Sequence, residues 1–220
     1  MMIKNLLFDL GGVFITLNRA ESVRRFQALG VERAGEWLDA YRQSGIFLEV
    51  ETGGISAQTF CQRLGEMAGR PVSYAEAENA WLGFVADVPQ YKLDYLRTLR
   101  MQGYRIDILT NTNPFILGWA RSARFSADGH SLAHYVDHIY ASYELGCVKP
   151  DAEIFSQALR QGALEPRHTL FVDDSEKNIE AARRQGLQAM WVESGTDFRA
   201  ALDARLAEGR GEEAYKNLQP

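Results

Sequence analysis

The sequence predicts an α/β fold, a Rossmann-like doubly wound parallel sheet with an inserted α-helical cap domain. Three observations predict it. From Pro89 onward, short apolar runs rich in β-branched and aromatic residues alternate with segments of helical period, as βαβ units with right-handed crossovers do. One further apolar run, Ile3 to Phe8, stands alone near the start. Between it and the next run, a block from Arg19 to about Ala86 keeps helical spacing, shows no convincing strand and is too long for one crossover.

Ile3 to Phe8 reads as a buried strand closed by the tight turn Asp9-Leu10-Gly11-Gly12, so Asp9 is delivered to its carboxyl end. The helical block rests on Val23, Phe26 and Leu29, then Trp37, Leu38 and Tyr41, then Phe60, Leu64 and Met67, then Trp81, Phe84 and Val85. Pro89 opens a helix that Gly103 stops before a strand from Tyr104 to Leu109. A helix from Pro114 to Arg124, a strand His138 to Ala141, a helix Asp151 to Gln161 and a strand Thr169 to Val172 follow. A helix Glu176 to Gln185, a strand Gln188 to Val192 and a helix Phe198 to Leu206 complete the alternation. The expected division is a core domain of 1–17 and 87–208, a helical cap of 18–86, and a charged, aperiodic tail of 209–220 that frays.

Composition bounds the partners. The 220 residues are 46% hydrophobic and 24% charged, enough for a full core. With 24 basic and 29 acidic residues the net charge is −5, which argues against nucleic acid as a partner. Cys61 and Cys147 form no disulfide framework and no thiolate metal site, which fits a reducing cytoplasm. Asp9 breaks the leading apolar stretch, so a signal peptide is rejected, and no run reaches the ~18 apolar residues of a membrane span. A monomer or weak homo-oligomer is expected.

In an open parallel sheet, ligands gather beyond the carboxyl ends of the strands. There the sequence places Asp9, then Thr110-Asn111-Thr112-Asn113, then Lys149-Pro150, then Asp173-Asp174. Singly, each has an ordinary structural reading as a cap or a solvated loop residue. Together, carboxylates from two strand ends would accumulate charge unless a hard cation were present, and magnesium suits oxygen ligands completed by a phosphate. The Lys149 ammonium, the Thr110 hydroxyl and amides near Asn111, Gly11 and Gly12 would hold that phosphate. An Asp can attack phosphorus to give an aspartyl phosphate that is later hydrolysed.

Phe8-Asp9-Leu10-Gly11-Gly12-Val13, Leu109-Thr110-Asn111, Val148-Lys149-Pro150 and Phe171-Val172-Asp173-Asp174-Ser175 resemble the four ordered motifs of the haloacid dehalogenase-like hydrolase superfamily. The helical insertion sits where its capped branch carries a helical cap. The chain looks most like the bacterial sugar-phosphate phosphatases similar to α-glucose-1-phosphatase. The resemblance implies a magnesium-dependent phosphatase acting on a small phosphorylated metabolite. Asp9 is then nucleophile and metal ligand, the Gly11 carbonyl a second ligand, Asp174 the further acid, and Asp173 a ligand or its neighbouring partner. Thr110 and Asn111 bind the transferring phosphoryl group, Lys149 neutralises its charge, and Asn178 orients a metal-bound water.

One position departs from the pattern. Most phosphatases of the superfamily place a second Asp two residues after the nucleophile as general acid and base; here Gly11 stands there. General acid–base help is worth roughly 10²–10⁴ in rate. Its absence predicts a preference for weakly basic leaving oxygens, as in glucose 1-phosphate, over primary alkyl phosphates. It also leaves two alternatives open: a phosphomutase or phosphotransferase using the same groups, and a phosphate-binding relic. Ser56 is expected to N-cap a cap helix, and Trp37, Trp81 and Trp119 to serve packing. The four-residue spacing of His130, His134 and His138 is not taken as a zinc site.

Overall fold

The computed structural model describes residues 2–39 and 42–216. The described residues form seven strands: β1 (Asn5–Phe8), β2 (Thr16–Leu17), β3 (Val85–Asp87), β4 (Arg105–Thr110), β5 (His138–Ala141), β6 (Thr169–Asp173) and β7 (Gln188–Trp191). Five of them form one parallel sheet in the order β5-β4-β1-β6-β7. β1 is thus central, flanked by β4 and β6. All of its residues but the first are buried, as expected of a parallel strand covered by helices on both faces. The chain runs outward from β1 through β4 to β5, then returns to the other side for β6 and β7. That reversal opens a crevice at the carboxyl ends of β1, β4 and β6.

The helical cap lies between β2 and β3. Phe26, Phe47, Phe60 and Trp81 meet edge to face at its centre, with Phe26 and Phe47 centroids 5.0 Å apart at 88°. Each buried aromatic of this kind contributes roughly 1.5–3 kcal/mol through the hydrophobic effect. Phe115, from the core helix Pro114–Ala120, joins the same cluster and stacks its ring 4.7 Å from Tyr74. Ser56 caps the helix Ala57–Ala68 by accepting the Thr59 N–H at 3.0 Å. Tyr41, which belongs to the helical period of the sequence, lies outside the described residues.

Three boundaries differ from expectation. The block read as strand-free contains β3, which pairs antiparallel with β2, and Asn18 N–H donates to the Phe84 carbonyl at 2.8 Å. Two- and three-residue strands are too short to show a period; only pairing defines them. The helix expected to reach Arg124 ends at Ala120, where the Ser122 hydroxyl donates back to the Trp119 carbonyl at 2.7 Å and competes with the next helical turn. The segment expected to fray continues the last helix, Arg199–Lys216. Its Ala, Glu, Arg and Lys residues favour helix enough to carry Gly209 and Gly211, at about 1 kcal/mol each. Residues 217–220 of that tail lie outside the described residues.

Candidate active site

The turn after β1 is built to hold one shape. Gly12 N–H donates to the Ile15 carbonyl at 2.8 Å, and Phe14 and Ile15 N–H both return to the Leu10 carbonyl. Lys92, almost completely buried, donates to the Val13 carbonyl at 2.7 Å. Asp9 leaves β1 at the head of this turn. Its Oδ1 accepts from Leu10 N–H at 2.7 Å and from Lys149 Nζ at 2.8 Å, while Oδ2 takes neither bond.

Lys149 is 2% exposed and bridges two strand ends, since its Nζ also lies 2.7 Å from Asp173 Oδ2. Burial works against its charge, but Asp173 and Asp9 outweigh burial and hold the ammonium above its ordinary range. Asp173 is fully buried and saturated: Ser175 N–H and Asn178 Nδ2 reach Oδ1 at 2.8 and 3.0 Å, and Asn178 also reaches Oδ2 at 3.1 Å. Asn178, expected to orient a metal-bound water, is instead turned onto Asp173. It lies in the first turn of the helix Glu176–Arg184, which starts directly beyond β6 and points that amide back at the strand end.

Asp174 differs from its neighbour. Its Oδ2 is buried and has no hydrogen-bond partner. Burial raises its affinity for a proton, against a hydrogen bond from Ser194 and with Asp173 adding like charge. Oxygens of Asp9, Asp173 and Asp174 come within 4.8 Å of one another. Burial pushes Asp9 up to about 7, Lys149 opposing and the two acids reinforcing. Three carboxylates against one ammonium leave two negative charges, which a divalent, oxygen-seeking cation would balance. The donor set fits magnesium: the orphaned Asp174 oxygen, Asp9 beside it and backbone carbonyl of the turn.

Gly12 and Asn111 are corrected in role. The Gly12 N–H is committed to Ile15, so it donates nothing to a phosphate. Its φ is +73°, and a Cβ there would lie 2.0 Å from Asp174 Oδ2. Gly12 therefore makes room for the acid. Asn111 Nδ2 donates to the Lys149 carbonyl at 3.0 Å and its Oδ1 accepts the Lys149 N–H at 2.8 Å. Both polar ends of its side chain thus hold the lysine backbone in place. Thr110 makes only a long 3.4 Å contact to the Asn111 carbonyl and lines the cleft. Gly11 also lines it, without positive φ, and a Cβ there would meet only Leu17 methyls, at 3.6 Å.

The cleft holds groups the sequence reading missed. Cap residues Gln43, Glu51, Trp81, Phe84 and Val85 form its upper wall. Buried polar atoms without a partner collect here: besides Asp174 Oδ2, the Trp81 indole N–H and the Thr112 hydroxyl. Trp81 does pack in the cap core as expected, yet its polar edge is unsatisfied. Glu51 is 6% exposed. Its signal lay in the period: it follows Phe47 by four residues and shares the buried face of Gly45–Glu51, where an acid is out of place. His130 and His134 stack outside the site, 3.9 Å between centroids, while His138 begins β5.

The profile of the haloacid dehalogenase-like hydrolase family matches residues 3–186. A D-ribitol-5-phosphate phosphatase of Bacteroides thetaiotaomicron is 43% identical over 205 residues, covering 93% of this chain and 99% of its own. A predicted hydrolase of the family from Porphyromonas gingivalis superposes with a TM-score of 0.88 at 38% identity, covering 94% and 98% of the two chains. A second solved structure, a family enzyme of Bacteroides thetaiotaomicron in complex with magnesium and inorganic phosphate, superposes at 0.81 with 36% identity, covering 89% and 97%. On the matched profile, the near-complete relatives and the four strand ends that meet in one crevice, the chain belongs to the haloacid dehalogenase-like hydrolase family.

Proposed function

We propose that this phosphatase hydrolyses the terminal phosphate monoester of a small polyol or sugar, with Asp9 as nucleophile and magnesium as cofactor. The observation that carries the reading is the placement of the Lys149 ammonium between Asp9 and Asp173, beside the unpartnered Asp174 oxygen. Asp9 attacks phosphorus to form an aspartyl phosphate, and water then releases inorganic phosphate. Lys149 and the Thr110 hydroxyl offset charge that spreads over the phosphoryl oxygens as the bond loosens. Asp9, Asp174 and the Gly11 carbonyl would hold magnesium, which lends further positive charge to the phosphoryl group when bound.

The substrate class is supported by the cleft and by a relative. Trp81 N–H, the Thr112 hydroxyl and the Glu51 carboxyl give a polyol groups to pair with, between apolar surfaces of Phe84 and Leu17. The 43% identical relative is a D-ribitol-5-phosphate phosphatase, and that ester is a primary alkyl phosphate. The test is phosphate release from a panel of polyol and sugar phosphates, with product analysis. Stoichiometric free alcohol and inorganic phosphate are expected, abolished by EDTA and by Asp9→Asn; transfer of phosphate to a second hydroxyl would replace hydrolysis by phosphotransfer.

A further inference from the structure

We infer that Glu51, on the cap wall of the cleft, is the general acid and base that Gly11 cannot be. The inference rests on the phosphatase reading and adds a catalytic residue to it.

Carboxyl groups lining the cleft among the described residues are Asp9, Asp174 and Glu51. Asp9 is engaged as nucleophile, Asp174 faces the cation position, and Asp173 behind them is saturated by Lys149, Asn178 and Ser175. Glu51 is the carboxyl left with no such task. It is also held in place. The Ser142 hydroxyl donates to the Glu51 carbonyl at 2.7 Å, tying the end of the cap helix to the core. Two residues on, a Cβ at Gly53 would lie 2.2 Å from the Tyr143 carbonyl, so the cap loop is seated directly on core backbone. Asn113 uses Oδ1 to accept the Phe115 and Ile116 N–H groups, which leaves its Nδ2 as the end that donates to the Glu51 carboxyl.

The protonation state suits the task. Burial pushes Glu51 up to about 8, with the Asn113 amide opposing, so the acid keeps its proton at neutral pH. Charged neighbours on the packed elements are paired elsewhere: Glu49 with Arg63 in the cap, and Glu144 with Arg121 and Tyr143 on the core. Across the cleft stand Asp9, Lys149 and Asp174.

In the first step the Asp9 oxygen bonds to phosphorus, the bond from phosphorus to the ester oxygen breaks, and the Glu51 proton passes to that oxygen to give the free alcohol. In the second, a water oxygen bonds to phosphorus while Glu51 carboxylate takes its proton. The bond from phosphorus to Asp9 then breaks, leaving inorganic phosphate, Asp9 carboxylate and protonated Glu51.

The experiment compares wild type and Glu51→Gln at saturating magnesium on two esters. Nitrophenyl phosphate has a leaving group that needs no proton; ribitol 5-phosphate has one that does. Because kcat/KM reports steps through departure of the leaving group, it should fall roughly 10²–10⁴-fold on the polyol ester and change little on the nitrophenyl ester. With the base gone, nitrophenolate should also appear as a burst. Equal losses on both esters, or a rise in KM alone on the polyol ester, would overturn the assignment. Wild type gives a second measurement independent of the variant's folding: kcat/KM for the polyol ester should fall as pH rises through about 8, while that for the nitrophenyl ester does not. Parallel profiles would overturn it too. Wild type that releases phosphate from neither ester removes the phosphatase reading, and this inference with it.

Discussion

Asn111 grips Lys149 by its backbone, accepting its N–H through Oδ1 at 2.8 Å and donating to its carbonyl through Nδ2 at 3.0 Å. The end of β4 thereby fixes a residue that follows β5, and the ammonium arrives between Asp9 and Asp173 without belonging to either strand. Asn111→Ala should remove both bonds, costing about 1–3 kcal/mol of stability, and lower kcat at least tenfold by letting Lys149 drift. A variant with kcat intact and only KM raised would return Asn111 to the phosphate.

Lys149 carries fold as well as chemistry. Lys149→Met leaves Asp9 and Asp173 buried without their counter-charge, and breaking such a pair costs roughly 3–5 kcal/mol. The sequence alone suggests a loss in turnover with little change in fold; the 2% exposure of Lys149 and its two ion pairs add the second cost. Turnover should drop by about 10²–10³, and urea denaturation should show the stability loss in the same preparation. Unchanged urea midpoints would contradict the bridge.

Gly12 and Gly11 should respond oppositely to Ala. A methyl at Gly12 strikes Asp174 Oδ2 at 2.0 Å on a φ of +73°, whereas one at Gly11 meets Leu17 methyls at an ordinary 3.6 Å. Magnesium should raise the melting temperature of EDTA-treated wild type, as any ligand of the native state does. Gly11→Ala should keep that rise and Gly12→Ala should lose it. The reverse pattern would move the cation away from Asp174.

Because Gly11 has room for a side chain, it offers a rescue. Gly11→Asp in the Glu51→Gln background should recover part of the activity on primary alkyl phosphates, by placing a carboxyl two residues after the nucleophile. Recovery confined to nitrophenyl phosphate would show that the new acid does not reach the leaving oxygen.

Stability should carry the mark of Glu51 as well. Its folded pKa of about 8 lies above the unfolded value near 4.5, so the native state binds the extra proton between these limits. The contribution is complete below pH about 4.5, shrinks as pH rises through that window and is gone above about 8. Glu51→Gln has no such proton. The unfolding free energy of wild type minus that of the variant should therefore decline by a few kcal/mol between pH about 5 and 9, read from urea curves at fixed magnesium. A flat difference would place Glu51 in water.

The alternation of strands and helices, the place of the cap, and Asp9, Thr110, Lys149 and Asp173-Asp174 at strand ends are legible in the chain of residues alone. Those features are local: period, turn glycines and short motifs need only neighbouring residues to be legible. Roles within the site were not local. Whether Asn111 and Asn178 faced a ligand or another part of the chain depended on the Lys149 backbone and the Asp173 carboxylate, 38 and five residues away. That Gly12 clears space for Asp174 depended on a contact across the sheet, as did the pairing of β2 with β3. Glu51 shows the limit most plainly. Its position on a buried helical face could be read from the spacing to Phe47, but only the closing of the cap onto Ser142 and Tyr143 puts that face over the crevice and strips the water that would have kept it an ordinary surface acid.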